Sequence, residues 1–324
     1  MRELIKCVFV VLAMCCVQVA MAQTQELAIE CSWGKISATL VEPEGGSDTA
    51  VIIIAGSGAT DRDGNSLSAG LRTYCYAMLS DAMVARGVAV LRYDKRGVGQ
   101  SAIPAADVPN LVFEDYIDDA EEVVRCLRDR GFKRVVLAGH SEGGLIALVA
   151  AKRGNVVIDG VVLLCATGYP IDSILLTQLG NQLIPKHIYL MYKADGIIKR
   201  LKSGERVTAE EIPQELLGLF HPVVQPFLIS EMQYDPAEII AECQMPILIV
   251  SAGRDVQISL ANGEALAKAQ PNAEHCTFEK MCHVLKDASN NDRIDQMLSV
   301  YSSANTPLTE GLATTVVEFI NNIK

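Results

Sequence analysis

Hydrophobic and polar positions along the chain alternate between short apolar runs and longer amphipathic stretches. The apolar runs are rich in β-branched residues, which suits strands buried on both faces of a sheet. They cover residues 50–55, 88–92, 134–138, 161–165, 247–251 and about 275–279. Amphipathic stretches near 68–86, 112–130, 142–153 and 259–269 predict helices between these strands. This alternation predicts an α/β fold, with a mostly parallel twisted sheet and helices on both of its faces.

The first alternating segments of the chain have a different pattern. ELAIECSW and KISATLVE each alternate apolar and polar residues, and they flank Gly34. Period-two segments joined by so short a connection predict an antiparallel hairpin.

One interval, from about 166 to 245, lacks a strand-like run. It carries helical signals instead: residues 173–194, a capping box from Thr208 to Glu211, and a helix start at Asp235 followed by proline. These stretches hold many apolar residues. We therefore expect a core formed by residues 23–165 and 246–324, and a helical cap, 166–245, over one end of the sheet. Ordinary connecting helices are the alternative.

Residues 1–22 resemble an export signal. A basic start is followed by an apolar run too short for a comfortable membrane span, and Ala-Met-Ala ending at Ala22 is a small-x-small cleavage site. We expect cleavage after Ala22 and a periplasmic or secreted protein without stable membrane insertion. A lipid anchor at Cys15 or Cys16 and an uncleaved anchor are the alternatives.

Export changes the charge and the cysteine count. Removing Arg2, Glu3 and Lys6 takes the formal charge from −11 to −12, so nucleic acid and anionic membranes are unfavourable partners. Seven cysteines are left, an odd number with no CxxC pair, which favours buried free thiols and leaves one disulfide open. They are Cys31, Cys75, Cys126, Cys165, Cys243, Cys276 and Cys282.

The clearest chemical motif lies between a predicted strand and a predicted helix. Residues 139–143 read Gly-His-Ser-Glu-Gly, a G-x-S-x-G sequence. A sharp turn there forces the serine into strained geometry, and glycines on either side avoid a clash. The turn would hold the Ser141 hydroxyl above the end of the sheet, where the N–H of Glu142 can bind an oxyanion. A tight turn that merely needs small residues is the alternative.

With these motifs the chain resembles the α/β-hydrolase superfamily, and within it the serine esterases whose turn reads GHSEGG. The resemblance covers nearly the whole mature chain. It implies a carboxylic ester hydrolase that acts through a Ser-His-Asp triad and an acyl-enzyme, without a cofactor or a metal. It also implies that the acid follows the nucleophile after an insertion, and that the histidine comes last.

The resemblance assigns the base to His283, in EKMCHVLKD just past the last strand. A serine hydroxyl needs such a base, and the base needs an acceptor for its second N–H. Asp255, in SAGRDVQIS after strand 247–251, matches the position of the family's acid. Asp287 and Asp292 follow the histidine and fit less well.

The other four histidines have less favourable positions. His140 adjoins the serine, but neighbouring side chains of an extended segment point apart, so we expect it in the core. His187 and His221 lie in the insertion, and His275 opens the last strand.

The second oxyanion donor is expected in the loop after strand 50–55. Family members commonly have His-Gly there, where this chain has Ala55-Gly56. A backbone N–H does this work, so we assign it to Ser57, with Gly58 as second choice. The Gly-Ser-Gly sequence lacks the Lys-Ser/Thr of a nucleotide-binding loop.

Two charged segments complete the resemblance. RYDKRGVGQS, residues 92–101, is expected to brace loops through Asp94 and Arg96, with a substrate contact by Arg96 as the alternative. Residues 61–63, Asp-Arg-Asp, are expected to brace the oxyanion loop. No cluster has the ligand spacing of a metal site.

These features favour an esterase with a small-molecule ester substrate. The apolar helices of the insertion suggest a hydrophobic acyl or aryl pocket. A serine peptidase or amidase on the same fold is the alternative within chemistry. A binding protein on an inactive scaffold is the alternative of another class, and is disfavoured because every triad position is filled. A homodimer is left open.

Overall fold

The computed structural model describes residues 22–184 and 186–324. The leader predicted for residues 1–22 therefore lies, except for Ala22, outside the described residues. Among the helices of those two ranges, none has the length and hydropathy to cross a membrane.

Strands and helices alternate along most of the chain. The strands are β1 (Gln23–Cys31), β2 (Gly34–Glu42), β3 (Thr49–Ile54), β4 (Asn65–Ser66), β5 (Leu71–Arg72), β6 (Ala89–Tyr93), β7 (Arg134–His140), β8 (Gly160–Leu164), β9 (Ile247–Ala252) and β10 (Glu274–Phe278). The helices are α1 (Cys75–Val84), α2 (Phe113–Asp129), α3 (Glu142–Arg153), α4 (Ile171–Leu183), α5 (Ile188–Lys202), α6 (Gln214–Phe220), α7 (Gln225–Glu231), α8 (Pro236–Glu242), α9 (Leu260–Ala269), α10 (Arg293–Gln296) and α11 (Leu312–Asn322).

Within the described ranges, eight of the strands form one twisted sheet in the order β1-β2-β6-β3-β7-β8-β9-β10. The pairs β1–β2 and β2–β6 are antiparallel, and the other pairs are parallel. The predicted α/β fold and amino-terminal hairpin are confirmed.

The sheet separates two apolar layers because successive side chains of a strand point to opposite faces. Ile52 and Ile54 pack with α2, α3 and α9 on one face, whereas Val51 and Ile53 pack with α1 and α11 on the other. Since β3 and β6–β10 run in one direction, their carboxyl ends meet at one edge of the sheet. The loops that carry the predicted site residues leave the sheet at that edge.

Five helices, α4–α8, connect β8 to β9 in the described part of the chain. Residues from α4 to α7 enclose an apolar core of their own, which includes Leu175, Leu179, Ile198 and Phe220. The last helix, α8, differs, because its Ile239 and Ile240 pack into the main core.

The helix predicted over 173–194 is two helices in the structure, α4 and α5. Ile184 between them has an extended backbone (φ −86°, ψ 139°). The sequence explains this, because residue 185 is proline and a residue before proline is disfavoured in helical geometry.

Candidate active site

Ser141 lies on a sharp turn between β7 and α3 and is 9% exposed. Its backbone has a positive φ of 53° (ψ −122°), a strained conformation for a residue with a Cβ. A Cβ at Gly139 would overlap the carbonyl group of Gly143, and a Cβ at Gly143 would overlap the carbonyl oxygen of Ile54. Both flanking glycines are therefore required by close backbone approach.

Asp255 and His283 come together above the same edge of the sheet. Asp255 follows β9, His283 follows β10, and the Asp255 Oδ2 lies 2.7 Å from the His283 Nδ1. The Asp255 side chain is fully buried, and its Oδ1 accepts backbone N–H bonds from Gln257 and Ile258, each of 2.8 Å. The acid is thus held from two sides, with one oxygen left for the histidine.

The carboxylates considered as alternatives are engaged elsewhere. Asp287 Oδ1 accepts a hydrogen bond from the hydroxyl of Thr309 (2.7 Å). Asp292 caps the N-terminus of α10, where its Oδ1 accepts from the N–H of Asp295 (2.8 Å). Asp255 is therefore the carboxylate that the geometry pairs with His283.

Ser141 and His283 line one small cavity of ≈150 Å³, together with Gly56, Ser57 and His140. Between the described residues no hydrogen bond joins the Ser141 hydroxyl to the His283 ring. Catalytic hydrogen bonds of this kind commonly shorten only when substrate is bound.

His140 is buried in the core, as expected, and both of its ring nitrogens are engaged. The Tyr76 hydroxyl lies 2.8 Å from its Nδ1, and the carbonyl oxygen of His283 lies 2.7 Å from its Nε2. Tyr76 accepts the Gly56 N–H (3.1 Å), so its own proton is free for Nδ1. Burial, and then the proximity of His283, lower the pKa of His140 to about 3, so this ring is neutral at pH 7.

The loop after β3 carries the two oxyanion donors predicted there, and of these Ser57 lines the cavity. Ser57 and Gly58 are both exposed, and Gly58 has a positive φ of 71°. Gly56 is excluded as a donor because Tyr76 takes its N–H. Glu142, the other predicted donor, is the first residue of α3, where a backbone N–H has no acceptor within the helix.

The two charged segments singled out in the sequence are structural. Arg96 bonds to Asp115 (2.8 Å) and Asp119 (2.6 Å) of α2, away from the cavity. Asp94 accepts the N–H of Arg62 (2.8 Å), and Arg62 pairs with Glu26 of β1 (3.0 Å). These contacts tie residues 61–63 to the edge of the sheet.

Sequence reasoning missed two residues that contact this centre. Tyr76 of α1 has no local motif that predicts its role. Lys95 is nearly fully buried, and its Nζ lies 2.7 Å from both the Gly56 carbonyl oxygen and the Glu142 Oε1. A lysine inside the otherwise structural Asp-Lys-Arg-Gly segment was the one available signal.

Cys165, directly after β8, lies close to both His140 and His283. Its Sγ lies within 4.8 Å of a ring nitrogen of His140 and of His283. Burial, and then the charge of Asp255, raise the pKa of this thiol well above its usual value, so it is protonated. Because both nitrogens of His140 are already bonded, this cluster does not offer a free ligand set. All seven cysteines of the described chain are free thiols.

A larger groove of ≈860 Å³ adjoins the small cavity and shares Leu71, Gln257 and Tyr301 with it. Amide and hydroxyl side chains are numerous along it, among them Ser173, Thr177, Gln178, Asn181 and Asn262, but most of its exposed lining surface is apolar. The sequence suggests an apolar pocket, and it does not predict the polar groups within this lining. Helix α4 turns Leu175 and Leu179 into the core of the insertion, and it lines the groove with Ile174 and with polar side chains.

A mostly parallel sheet wrapped by helices, with a serine on a strained strand-to-helix turn, defines an α/β hydrolase. More particularly, the chain belongs to the family described as serine aminopeptidase, S33, whose model matches residues 70–287.

Among curated proteins, the chain is similar to Esterase EstD of Thermotoga maritima. The two are 28% identical over 253 residues, which cover 75% of this chain and 56% of EstD. The chain thus spans about half the length of this relative.

Solved structures share the fold. Est1E from Butyrivibrio proteoclasticus, solved with ferulic acid bound, has a TM-score of 0.57 at 18% identity, covering 92% of this chain and 98% of Est1E. Proline iminopeptidase from Mycobacterium smegmatis has a TM-score of 0.56 at 11% identity, covering 92% and 98%. Since an esterase and a peptidase both match, the fold alone does not separate these activities.

Proposed function

We propose that the protein is a serine hydrolase of carboxylic esters, with Ser141 as nucleophile, His283 as general base and Asp255 as the acid that orients it. The observation that carries this proposal is the 2.7 Å pair of Asp255 and His283, together with the position of His283 in the wall of the cavity that Ser141 also lines. Similarity to Esterase EstD supports the ester as substrate.

In the first half of the reaction, the Ser141 oxygen attacks the ester carbonyl carbon and gives its proton to the His283 Nε2. The carbonyl oxygen becomes an oxyanion, which the N–H groups of Ser57 and Glu142 stabilise. Collapse of the intermediate breaks the bond to the alkoxy oxygen. That oxygen takes the proton from His283 and leaves as the alcohol.

In the second half, water attacks the acyl-serine and gives its proton to His283. The bond between the acyl carbon and the Ser141 oxygen then breaks, and the serine oxygen takes the proton back. The acid leaves and the resting enzyme is restored. Asp255 stays ionised throughout and stabilises the imidazolium that forms twice in each cycle.

A peptidase that removes amino-terminal residues is the second candidate, favoured by the family name and by the structural match to proline iminopeptidase. Such an enzyme needs an unpaired carboxylate for the substrate's ammonium group. Among the described residues that line the cavity and the groove, Asp255 is the one carboxylate, and it is already paired with His283. The lining therefore favours an ester over an amino-terminal peptide.

The groove suggests where the rest of the substrate lies. Its lining combines apolar surface with amide and hydroxyl side chains. This suits an ester that has an apolar part and hydroxyl groups next to the scissile bond, because the polar side chains replace water as hydrogen-bond partners. We place helices α4–α7 as a cap whose first helix, α4, lines this groove. Export to the periplasm or the medium, proposed from the leader, is tested by cell fractionation and by the amino-terminal sequence of the mature protein.

Ser141→Ala tests the function. We expect hydrolysis of p-nitrophenyl acetate to fall by roughly 10³-fold or more, and labelling by a fluorophosphonate probe to be lost. Ser203→Ala, an exposed serine at the end of α5, is the matched control and should keep full activity. Near-normal turnover by Ser141→Ala would refute the nucleophile. Faster turnover of an aminoacyl p-nitroanilide than of the ester would favour the peptidase.

A further inference from the structure

Lys95 is a buried cation that the triad does not use. It follows β6, is 1% exposed, and stands over the ring of Tyr116 at 4.8 Å. Its Nζ makes two hydrogen bonds of 2.7 Å, one to the carbonyl oxygen of Gly56 and one to the Glu142 Oε1. These partners belong to two different loops of the site, so one ammonium group joins the loop after β3 to the turn after β7.

The bond to Gly56 fixes a peptide group. The carbonyl of Gly56 and the N–H of Ser57 belong to one peptide unit, and in a trans peptide they point in opposite directions. With its oxygen held on the buried side by Lys95, this unit turns the Ser57 N–H away from the core, at the rim of the cavity that contains Ser141. Tyr76 holds the N–H of Gly56 (3.1 Å), which belongs to the preceding peptide unit, so two consecutive peptide units of this loop are restrained.

The bond to Glu142 acts on the other donor. Glu142 directly follows Ser141, and its side chain is 7% exposed, so the carboxylate is held inside the protein by the ammonium group. Fixing the side chain fixes the Cα of Glu142 at the start of α3. The N–H of the same residue is the second donor toward the cavity.

A second carboxylate lies close to this pair. Glu231 of α7 is buried, and burial together with the charge of Glu142 raises its pKa well above its usual value. The shift favours the neutral form of Glu231 beside the ion pair of Lys95 and Glu142. In a buried setting, a cation hydrogen-bonded to a carbonyl also polarises that peptide and makes its N–H a stronger donor.

We infer that Lys95 is a positioning residue that sets both oxyanion donors, the N–H groups of Ser57 and Glu142, relative to Ser141. The inference rests on the proposed function, since it assigns these two N–H groups to the oxyanion. Loss of one oxyanion donor costs about 10²–10³ in kcat in enzymes of this type. Removal of Lys95 leaves both donors present but unrestrained, so we expect a smaller loss, roughly 10–100-fold in kcat.

The test compares Lys95→Met with wild type on p-nitrophenyl acetate and with a trifluoromethyl ketone, which forms a tetrahedral oxyanion adduct with the serine. We expect kcat to fall while KM stays within about threefold. The affinity for the ketone should fall by the same factor as kcat/KM, because both report the oxyanion. If the role of Lys95 were purely structural, its removal would lower the fraction of folded protein, and the losses in ketone affinity and in kcat/KM would not be equal.

Two further variants keep the test decisive. Lys95→Met/Glu142→Gln removes the cation without leaving a buried unpaired charge, so it keeps the test available if the single variant does not fold. Arg128→Met is the control for stability. It breaks the ion pair of Arg128 with Asp159 (2.5 Å) at the opposite end of the sheet, so it lowers stability without changing a contact of the site.

Normal kcat in a folded Lys95 variant, or a fall in kcat/KM with unchanged ketone affinity, would overturn the inference. If instead the wild-type protein neither hydrolyses the ester nor binds the ketone, the proposed function itself has failed.

Discussion

The buried neutral His140 predicts a specific dependence of stability on pH. In the folded protein its pKa is lowered from 6.5 to about 3, first by burial and then by His283. The unfolded chain therefore binds more protons between about pH 3 and 6.5, and the free energy of unfolding falls as the pH is lowered through that window. Above pH 6.5 both states are unprotonated at this residue, and its full contribution to stability is present.

The size of the effect follows from the same pKa values. Each pH unit inside the window costs up to about 1.4 kcal/mol, and two units of the window lie between pH 7 and 4.5, so this change costs about 2.5 kcal/mol through His140. His140→Gln removes the titration while leaving an amide that can accept from the Tyr76 hydroxyl and donate to the His283 carbonyl. The variant should therefore lose about 2.5 kcal/mol less than wild type over the same interval.

Urea unfolding at pH 7 and pH 4.5 measures this difference. The carboxylates are the same in both proteins, so their contributions cancel when the two pH effects are subtracted. His275→Gln, an exposed histidine bonded to the Ser251 hydroxyl, is the control and should behave like wild type. Equal pH effects in wild type and His140→Gln would refute the reasoning, since His140 would then accept a proton as easily folded as unfolded.

Two other predictions follow from the turn and the groove. Gly143→Ala should lower stability by about 2–3 kcal/mol in thermal unfolding, because its Cβ would overlap the Ile54 carbonyl. At Gly180 in α4, an added Cβ would meet no atom within 4 Å beyond its chain neighbours and the backbone of its own helix, so Gly180→Ala should be neutral or stabilising. Equal effects of the two changes on stability would contradict the packing argument. Thr177→Val should lower kcat/KM about fivefold for an acetyl ester of a polyol and leave that for cyclohexyl acetate unchanged, because one hydrogen bond is lost. A common change for both esters would argue against a polar subsite there.

The sheet and the serine turn could be predicted because their signals are local. Apolar runs and the glycines around Ser141 record constraints that act within a few residues, and the six strands predicted from apolar runs lie within one or two residues of their predicted positions. The partnership of Asp255 and His283 spans 28 residues and needed the resemblance to a known family, since spacing alone does not bring two loops together.

The groove and Lys95 could not be predicted for a related reason. Apolar residues in α4 indicate only that the helix buries one face. Whether Leu175 and Leu179 face a substrate or other helices depends on packing that the sequence pattern does not record, and in the structure they face other helices. In the same way, a lysine between Asp94 and Arg96 acquires its role from Gly56 and Glu142, two residues that are distant in the chain.

The separate core of the α4–α7 helices has an evolutionary consequence. Because these helices bury most of their apolar residues among themselves, the exposed polar side chains of α4 that border the groove carry little of the packing that stabilises the protein. Surface substitutions outside a core usually change stability by less than about 0.5 kcal/mol. Mutations at Ser173, Thr177 or Asn181 can therefore accumulate at nearly constant stability, and substrate preference can diverge between homologues while the sheet and its catalytic loops are conserved.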